Sequence, residues 1–224
     1  MALPGGVYAF SQTVSRDGTD QTFHPSAVET AKGLLLVDVG FPGLTDQVEA
    51  NLAEAGFDWS DVRGVVLTHQ DGDHAGGLAD LLERATPTVY AHERCAPYVD
   101  GRKSPLKSPD GERYPPADVD VELVDGVSFN TAAGPMDVVF TPGHAPGHVS
   151  LHLPEAGLLL AGDALTADAD GLQGPNEMYT PDMDEALSSA ERLADLDFDR
   201  TLCHHGGVVA EGTDRVADIV AAGR

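Results

Sequence analysis

Histidine and aspartate side chains are concentrated in one short segment of this sequence, residues 68–74. The segment reads Thr-His-Gln-Asp-Gly-Asp-His, and it begins where the apolar run from Val62 to Thr68 ends, a run typical of a buried strand. Imidazole and carboxylate groups together suit zinc, manganese or iron. The alternative is a solvated acidic turn in which the histidines are incidental. The candidate ligands are His69, Asp71, Asp73 and His74.

Three later segments place a histidine or an aspartate beside glycine at the end of a predicted strand. Residues 141–148 read Thr-Pro-Gly-His-Ala-Pro-Gly-His, residues 162–163 read Gly-Asp, and residues 204–207 read His-His-Gly-Gly. Functional sites in layered α/β folds assemble at strand ends. These segments therefore favour one shared site over an incidental turn.

Apolar runs and helix-type periodicity alternate along the chain, which predicts a mixed α/β architecture with a layered core. Thr45, Asp182 and Thr213 are expected to cap helices, and Gly56 to end the first of them. A short helix is expected over Leu78 to Leu82. Strands are predicted at Leu34 to Val39, Val62 to Thr68, Thr88 to Ala91, Asp137 to Thr141, Val149 to Leu153, Leu158 to Ala161 and Arg200 to Cys203.

The length of 224 residues suits a single domain, residues 1–224, with a loop insertion at residues 100–118. That insertion, from Asp100 to Asp118, is rich in proline and holds two of the three lysines of the chain, Lys103 and Lys107. Long loops in compact domains are often functional. We therefore expect this segment to cover the site.

The charge balance excludes some partners. Lysine and arginine number 13 against 37 acidic residues, a net charge of −24, which argues against nucleic acid and against an anionic membrane surface. No apolar run approaches a membrane span, and residues 1–10 do not resemble a signal peptide. Two cysteines, Cys95 and Cys203, are simplest to interpret as reduced thiols of a cytoplasmic protein. The dispersed acidic surface suggests a halophilic source.

In the order His-x-Asp-x-Asp-His, Thr-Pro-Gly-His, Gly-Asp and His-Gly, these motifs resemble the metallo-β-lactamase fold hydrolases. The resemblance runs from about Leu34 to His205. It implies an αβ/βα sandwich of two mixed β-sheets flanked by helices, with a metal site at the sandwich edge that usually holds two ions.

Carried over residue by residue, the resemblance implies two zinc ions. His69 and His144 would bind the first, and Asp163 would bridge the two. The sequence departs from the family at Asp71, which stands where a second histidine is common; we expect Asp71 to ligate the first ion, where manganese or iron would also suit an oxygen donor. The second ion would be bound by Asp73, His74 and His205.

The remaining histidines are interpreted differently. His148 and His204 are expected to lie beside the site and orient it without binding metal. For His24, His92 and His152, ordinary surface or strand positions are the better interpretation. Tyr179 is expected at the core or rim, with a pocket position as the weaker alternative.

The resemblance implies hydrolysis of an ester, thioester or lactone-type bond in a small molecule by a metal-bound hydroxide, with Asp73 orienting the nucleophile. Two alternatives stay open at this point. One is an iron-dependent oxidoreductase on the same fold, similar to the persulfide dioxygenases. The other is a catalytically inactive binding module. The physiological substrate, the native metal and the oligomeric state do not follow from the sequence.

Overall fold

The computed structural model describes residues 2–16, 18–108 and 111–223. Its helices are α1 (Thr45–Ala55), α2 (Leu78–Leu82), α3 (Ala96–Val99), α4 (Met183–Ala194) and α5 (Thr213–Ala222). Its strands are β1 (Ala2–Leu3), β2 (Val7–Ala9), β3 (Gln12–Arg16), β4 (Thr19–Phe23), β5 (Ser26–Thr30), β6 (Gly33–Val37), β7 (Val62–Leu67), β8 (Thr88–His92), β9 (Val121–Leu123), β10 (Ser128–Thr131), β11 (Gly134–Phe140), β12 (Val149–Leu153), β13 (Leu158–Gly162), β14 (Thr166–Asp168), β15 (Gly171–Gln173), β16 (Arg200–Cys203) and β17 (Gly207–Val209).

Two large mixed sheets form the centre of the fold. The first has the strand order β1-β2-β5-β6-β7-β8-β9, and the second has the order β10-β11-β12-β13-β16-β17. Strands β6 to β9 pair in parallel, as do β13 and β16, while the other pairs in these sheets are antiparallel. Two hairpins, β3-β4 and β14-β15, stand outside these sheets.

Alternating side chains of the central strands face different apolar layers. In β6, Leu34 and Leu36 pack towards α1 and α2, whereas Leu35 and Val37 pack between the two sheets. In the second sheet, residues Leu158 and Leu160 face the same inter-sheet layer, and Leu159 faces α4 and α5. Both sheets are therefore buried on both faces, which requires nearly continuous apolar strands. The resulting order of layers is the αβ/βα sandwich that the sequence resemblance predicted.

The helix boundaries confirm part of the sequence interpretation. Gly56 ends α1 in a left-handed conformation with a φ of 88°, and the Asp182 carboxylate accepts a hydrogen bond from the Glu185 backbone N–H at the start of α4. The expected caps at Thr45 and Thr213 are wrong, because each is the first residue of its helix. The Thr213 hydroxyl instead donates to the carbonyl oxygen of Leu196, which ties α5 to the end of α4.

The segment 100–118 contains neither helix nor strand in the residues described. It is held in place by side-chain contacts: the Arg113 guanidinium donates to the carbonyl oxygen of Tyr98 at 2.9 Å, and the Tyr114 hydroxyl donates to the carbonyl oxygen of Gln70 at 2.7 Å. The second contact fixes the segment directly over the histidine- and aspartate-rich turn after β7.

Across the described residues, the helices are all too short or too polar to traverse a lipid bilayer.

The inter-sheet layer generates a stability prediction. Leu151 in β12 is 0% exposed, whereas Val124 after β9 is 48% exposed. Leu151→Ala should lower the free energy of unfolding by about 2–5 kcal/mol, because it leaves a cavity between the sheets. Val124→Ala should change it by less than about 0.5 kcal/mol. Denaturant titrations of both variants check this, and equal losses would contradict the packing described.

Candidate metal centre

Four loops at one edge of the sandwich bring the predicted ligands together. The first trio comes from two of these loops: His69 Nε2 lies 3.3 Å from Asp71 Oδ2, and His144 Nε2 lies 3.2 Å from the same oxygen. His69 and His144 are buried, and Asp71 faces the opening. Their ligand atoms all lie within 4.8 Å of one another. This spacing suits a single cation.

The second trio lies beside the first. His205 Nε2 is 3.3 Å from Asp73 Oδ2, and His74 Nε2 is 3.8 Å from the same oxygen. These ligand atoms also lie within 4.8 Å of one another.

Asp163 links the two trios. Its Oδ2 lies 3.3 Å from His144 Nε2 and 3.2 Å from His205 Nε2, while its Oδ1 lies 3.2 Å from His74 Nε2. The two carboxylate oxygens together thus meet three histidines, each of which comes from a different loop. This is the position that the sequence resemblance assigns to a bridging ligand, and the other six predicted ligands lie around it. Their role as ligands stays a prediction; what the structure shows is that the fold brings them together.

Unpartnered polar atoms indicate that a cation fits here. His69 Nε2, His74 Nε2 and Asp163 Oδ1 are buried and make no hydrogen bond, although His74 Nε2 and Asp163 Oδ1 lie 3.2 Å apart. Atoms this close without hydrogen-bond alignment point towards a common space and not at each other. An unpaired buried polar atom costs about 1–3 kcal/mol, so a divalent ion coordinated by these atoms would remove a real penalty.

The electrostatics lead to the same conclusion. Burial raises the pKa of Asp163, but the charge of His74 and the hydrogen bond from His205 outweigh burial and hold the pKa well below its usual range. Burial lowers the pKa of His205, but hydrogen bonds to Asp163 and Asp73 raise it to about 9. The carboxylates are therefore ionised and draw positive charge onto the histidines. A metal would supply that charge instead and displace the protons.

Asp38 positions His74, and the sequence interpretation missed it. Asp38 Oδ2 lies 2.7 Å from His74 Nδ1, and its two oxygens also accept hydrogen bonds from the backbone N–H and the hydroxyl of Thr68. Because an ionised carboxylate only accepts, His74 donates from Nδ1 and its Nε2 is left to face the centre. The signal that identified Asp163 was an acidic residue at the end of a strand and close to a glycine. Asp38 fits the same description, because it follows an apolar run and lies two residues before Gly40.

A second hydrogen-bonded chain supports Asp163. The Ser150 hydroxyl donates its one proton to the carbonyl oxygen of Ala161, so it must accept a hydrogen bond from the Thr141 hydroxyl. The Thr141 hydroxyl in turn accepts from His148, which therefore carries its proton on Nδ1. His148 Nε2 is then free to accept the Asp163 backbone N–H at 2.9 Å. Burial, followed by the charge of His69, holds the pKa of His148 well below its usual range, which agrees with a neutral ring. His148 therefore orients the loop that carries Asp163.

Glycine is required where this chain passes close to Asp163. Gly162 has a φ of 56°, and a Cβ there would lie 2.6 Å from His148 Nε2. A side chain at this position would break the hydrogen bond between His148 and Asp163.

His204 packs behind the centre and does not face it. Its ring is buried 3.7 Å from the ring of His74, and burial, with the charge of His74, lowers its pKa to about 3. The backbone carbonyl of His204 accepts from the His24 backbone N–H at 2.9 Å, which joins the β3-β4 hairpin to the loop that carries His205. His204 thus supports the positions of two candidate ligands, His74 and His205.

The other histidines make ordinary contacts. His92 stacks on Phe140 with ring centroids 4.3 Å apart, and His152 Nε2 lies 3.0 Å from the carbonyl oxygen of Asp197. Tyr179 is 59% exposed, so the expectation that it packs in the core is wrong. It does not line the cavity described below either, which contradicts the weaker alternative of a pocket position. Both cysteines are buried free thiols.

A cavity of about 530 Å³ opens above the centre. Asp71 and Asp73 form part of its floor, and the 100–118 segment supplies much of its wall, including Lys107 and Tyr114. Cavities of roughly 300–1,000 Å³ hold small molecules. Lys107 is the second residue that the sequence interpretation missed as part of the site, because no motif or spacing distinguishes it.

The sequence model of the metallo-beta-lactamase superfamily matches residues 26–205. The chain belongs to the metallo-beta-lactamase superfamily. It is a metal-dependent hydrolase of that superfamily, as its relatives indicate.

Individual relatives of this superfamily member show how far the similarity extends. The chain is 28% identical over 197 residues to the probable metallo-hydrolase YflN of Bacillus subtilis (strain 168), covering 77% of this chain and 75% of that relative. It is 31% identical over 169 residues to a hydroxyacylglutathione hydrolase of Ruegeria pomeroyi, covering 74% of this chain and 57% of that relative. The chain thus spans little more than half of that longer enzyme.

Among solved structures, a metallo-beta-lactamase family protein of Thermus thermophilus is similar to this chain, with a TM-score of 0.75 and 28% identity over 97% of this chain and 79% of that one.

Asp38 provides a test of how the centre is held. Asp38→Asn keeps the acceptor for the Thr68 backbone but replaces the oxygen that accepts from His74 Nδ1. Metal affinity should fall by about 10- to 100-fold, as for other partners that orient a ligand. Competition with a chromophoric chelator measures this. Asp46→Asn, at an exposed ion pair with Arg84, is the control and should leave the affinity unchanged. Equal affinities in both variants would contradict the role of Asp38.

Proposed function

We propose that this superfamily hydrolase cleaves an ester, thioester or lactone bond in a small-molecule substrate, with a thioester as the favoured class. The observation that carries the proposal is the arrangement of two ligand trios around Asp163 at the floor of an open cavity. The similarity to hydroxyacylglutathione hydrolases, whose named substrates are thioesters, supports the favoured class.

The residues divide into two groups in this proposal. His69, Asp71 and His144 would hold a first ion, and Asp163 would be shared between that ion and a second one. Zinc is the ion that imidazole and carboxylate together favour. Manganese or iron would also suit the oxygen donor at Asp71. The second ion would be held by Asp73, His74 and His205. When bound, such ions lower the pKa of water towards about 7 and polarise a carbonyl group.

Asp73 is the proposed catalytic residue. It reaches the cavity floor, and its carboxylate is ionised because the charge of His74 and the hydrogen bond from His205 outweigh the effect of burial on its pKa. An ionised carboxylate accepts hydrogen bonds, so Asp73 would accept one from the attacking water and direct its oxygen at the substrate carbonyl. Buried Asp38 fixes the ring of His74, and His148 fixes the loop that carries Asp163, so these two groups are already oriented before substrate binds.

The chain's charge supports a small-molecule substrate. Its net charge of −24 would repel a nucleic acid backbone. The relatives described above are named as hydrolases, which favours hydrolysis over the iron-dependent oxidoreductase alternative.

Replacing Asp163 tests the proposal. Asp163→Ala should lower thioester turnover by about 1,000-fold or more, because it removes the group shared by both trios. Elemental analysis should show a parallel loss of bound metal. Asp218→Ala, at an exposed position on α5, is the matched control. Wild-type turnover should also stop with a chelator and return with zinc. Full turnover in Asp163→Ala would reject the site, and oxygen uptake without ester or thioester cleavage would reject hydrolysis.

We further propose a cytoplasmic, halophilic setting. The two free cysteines support the first part, and the acidic composition supports the second. Self-repulsion among the excess carboxylates is screened as salt rises, because the Debye length falls from about 10 Å at 0.1 M to about 3 Å at 1 M. The melting temperature should rise by at least about 4 °C between those concentrations of potassium chloride. Thermal unfolding monitored by circular dichroism measures this. An unchanged melting temperature would remove the argument for a halophilic source.

A further inference from the structure

The side chain of Lys107 reaches from the 100–118 segment into the first trio. Its Nζ lies 2.6 Å from Asp71 Oδ2 and 2.7 Å from His144 Nε2, and the side chain is only 24% exposed. Lysine is rare in this chain, and a long flexible side chain loses rotamer entropy when it is held in one position. The contact with Asp71 therefore has to be favourable enough to offset that loss.

The ammonium group contacts two of the three atoms that would bind the first metal. An ammonium only donates hydrogen bonds, so His144 must present the lone pair of Nε2 to it, as it would to a metal ion. His144 Nδ1 lies 3.4 Å from the Thr180 hydroxyl on the other side of the ring. A metal would require the same lone pair and the same Asp71 oxygen at about 2.0–2.2 Å. Lys107 and a first metal ion therefore exclude each other.

The negative charge of Asp71 explains why the positive charge of Lys107 is held at this position. Asp71 stands where the sequence resemblance implies a second histidine, and a neutral histidine would offer no negative charge to an ammonium group. A carboxylate offers that charge, and Asp71 and Lys107 lie at ion-pair distance. Within the described ranges, no lysine or arginine forms a salt bridge with Asp73 or Asp163. The tethered cation thus contacts the first trio and leaves the second trio open.

We propose that the ammonium group of Lys107 takes the place of the first metal ion, so that the protein binds one ion tightly, at Asp73, His74, His205 and Asp163. A second ion enters only when Lys107 leaves the centre. This inference rests on the proposed metal centre and deepens it, because it specifies how many ions the resting protein holds and which residue sets that number.

Metal stoichiometry tests the inference directly. Wild type, Lys107→Met and the control Lys103→Met are equilibrated with zinc, dialysed, and measured by elemental analysis. Lys103 lies on the same segment, but its Nζ is placed over the ring of Tyr98 at 5.1 Å. We expect about one zinc per chain in wild type and in Lys103→Met, and about two in Lys107→Met. Chelator competition should show the second ion bound about 10- to 100-fold more tightly in Lys107→Met than in wild type, as expected when a charged donor is removed.

A second variant keeps the test decisive if Lys107→Met does not fold. Asp71→His removes the partner of Lys107 and supplies an imidazole ligand, so it should also bind about two zinc ions. Circular dichroism of each variant establishes that it is folded.

The outcomes separate this inference from the proposed function. Two tightly bound zinc ions in wild type, with equal affinities in Lys107→Met, would overturn the inference and leave the hydrolase proposal standing. One ion in wild type and still one in folded Lys107→Met and Asp71→His would also overturn it. No zinc in any folded variant would reject the proposed metal centre itself.

Discussion

The repulsion among clustered, largely desolvated carboxylates is the constraint on which the rest of this structure depends. Asp71, Asp73 and Asp163 converge at one edge of the sandwich, and Asp38 lies directly behind them. Ionised carboxylates that are withdrawn from water are costly unless cations or hydrogen-bond donors face them. The segments that surround these carboxylates supply such cations and hydrogen-bond donors. The histidines, the Thr68 hydroxyl and the ammonium group of Lys107 all satisfy this requirement, and a divalent ion would satisfy it better than protons do.

The sandwich can hold these charges close together because its strands are packed against apolar layers on both faces and cannot easily move apart. Loops that follow β7, β11, β13 and β16 are joined across the gap between the sheets, for example where the Val149 backbone N–H donates to the carbonyl oxygen of Thr68. Hydrogen-bonded chains of fixed direction then set the orientation of His74 and Asp163. The stability of the apolar layers thus holds together groups that would otherwise move apart.

Asp71 gives the first trio a carboxylate where the sequence resemblance implies a second histidine. An additional carboxylate increases the local negative charge, and the insertion that covers the cavity returns a positive charge through Lys107. The 100–118 segment also forms much of the wall of the cavity above the centre, so one segment contacts the first trio and shapes the cavity.

Sequence alone determined the motifs, their order and the layered fold, because apolar periodicity and glycine next to histidine or aspartate are local signals. It also indicated that the ligands would meet, since strand ends in layered folds share an edge. Tertiary structure alone decided the role of Lys107, which lies in an irregular segment with no pattern and contacts Asp71 across 36 positions of the chain. The direction of the hydrogen bonds behind His74 and Asp163 likewise depends on which atoms packing brings within reach. The cap expected at Thr213 failed for the same reason: its hydroxyl donates to the carbonyl oxygen of Leu196, and a tertiary hydrogen bond of this kind is invisible in the sequence. At Thr45 the helix begins one residue earlier than expected, and the hydroxyl is buried without a hydrogen-bond partner among the residues described.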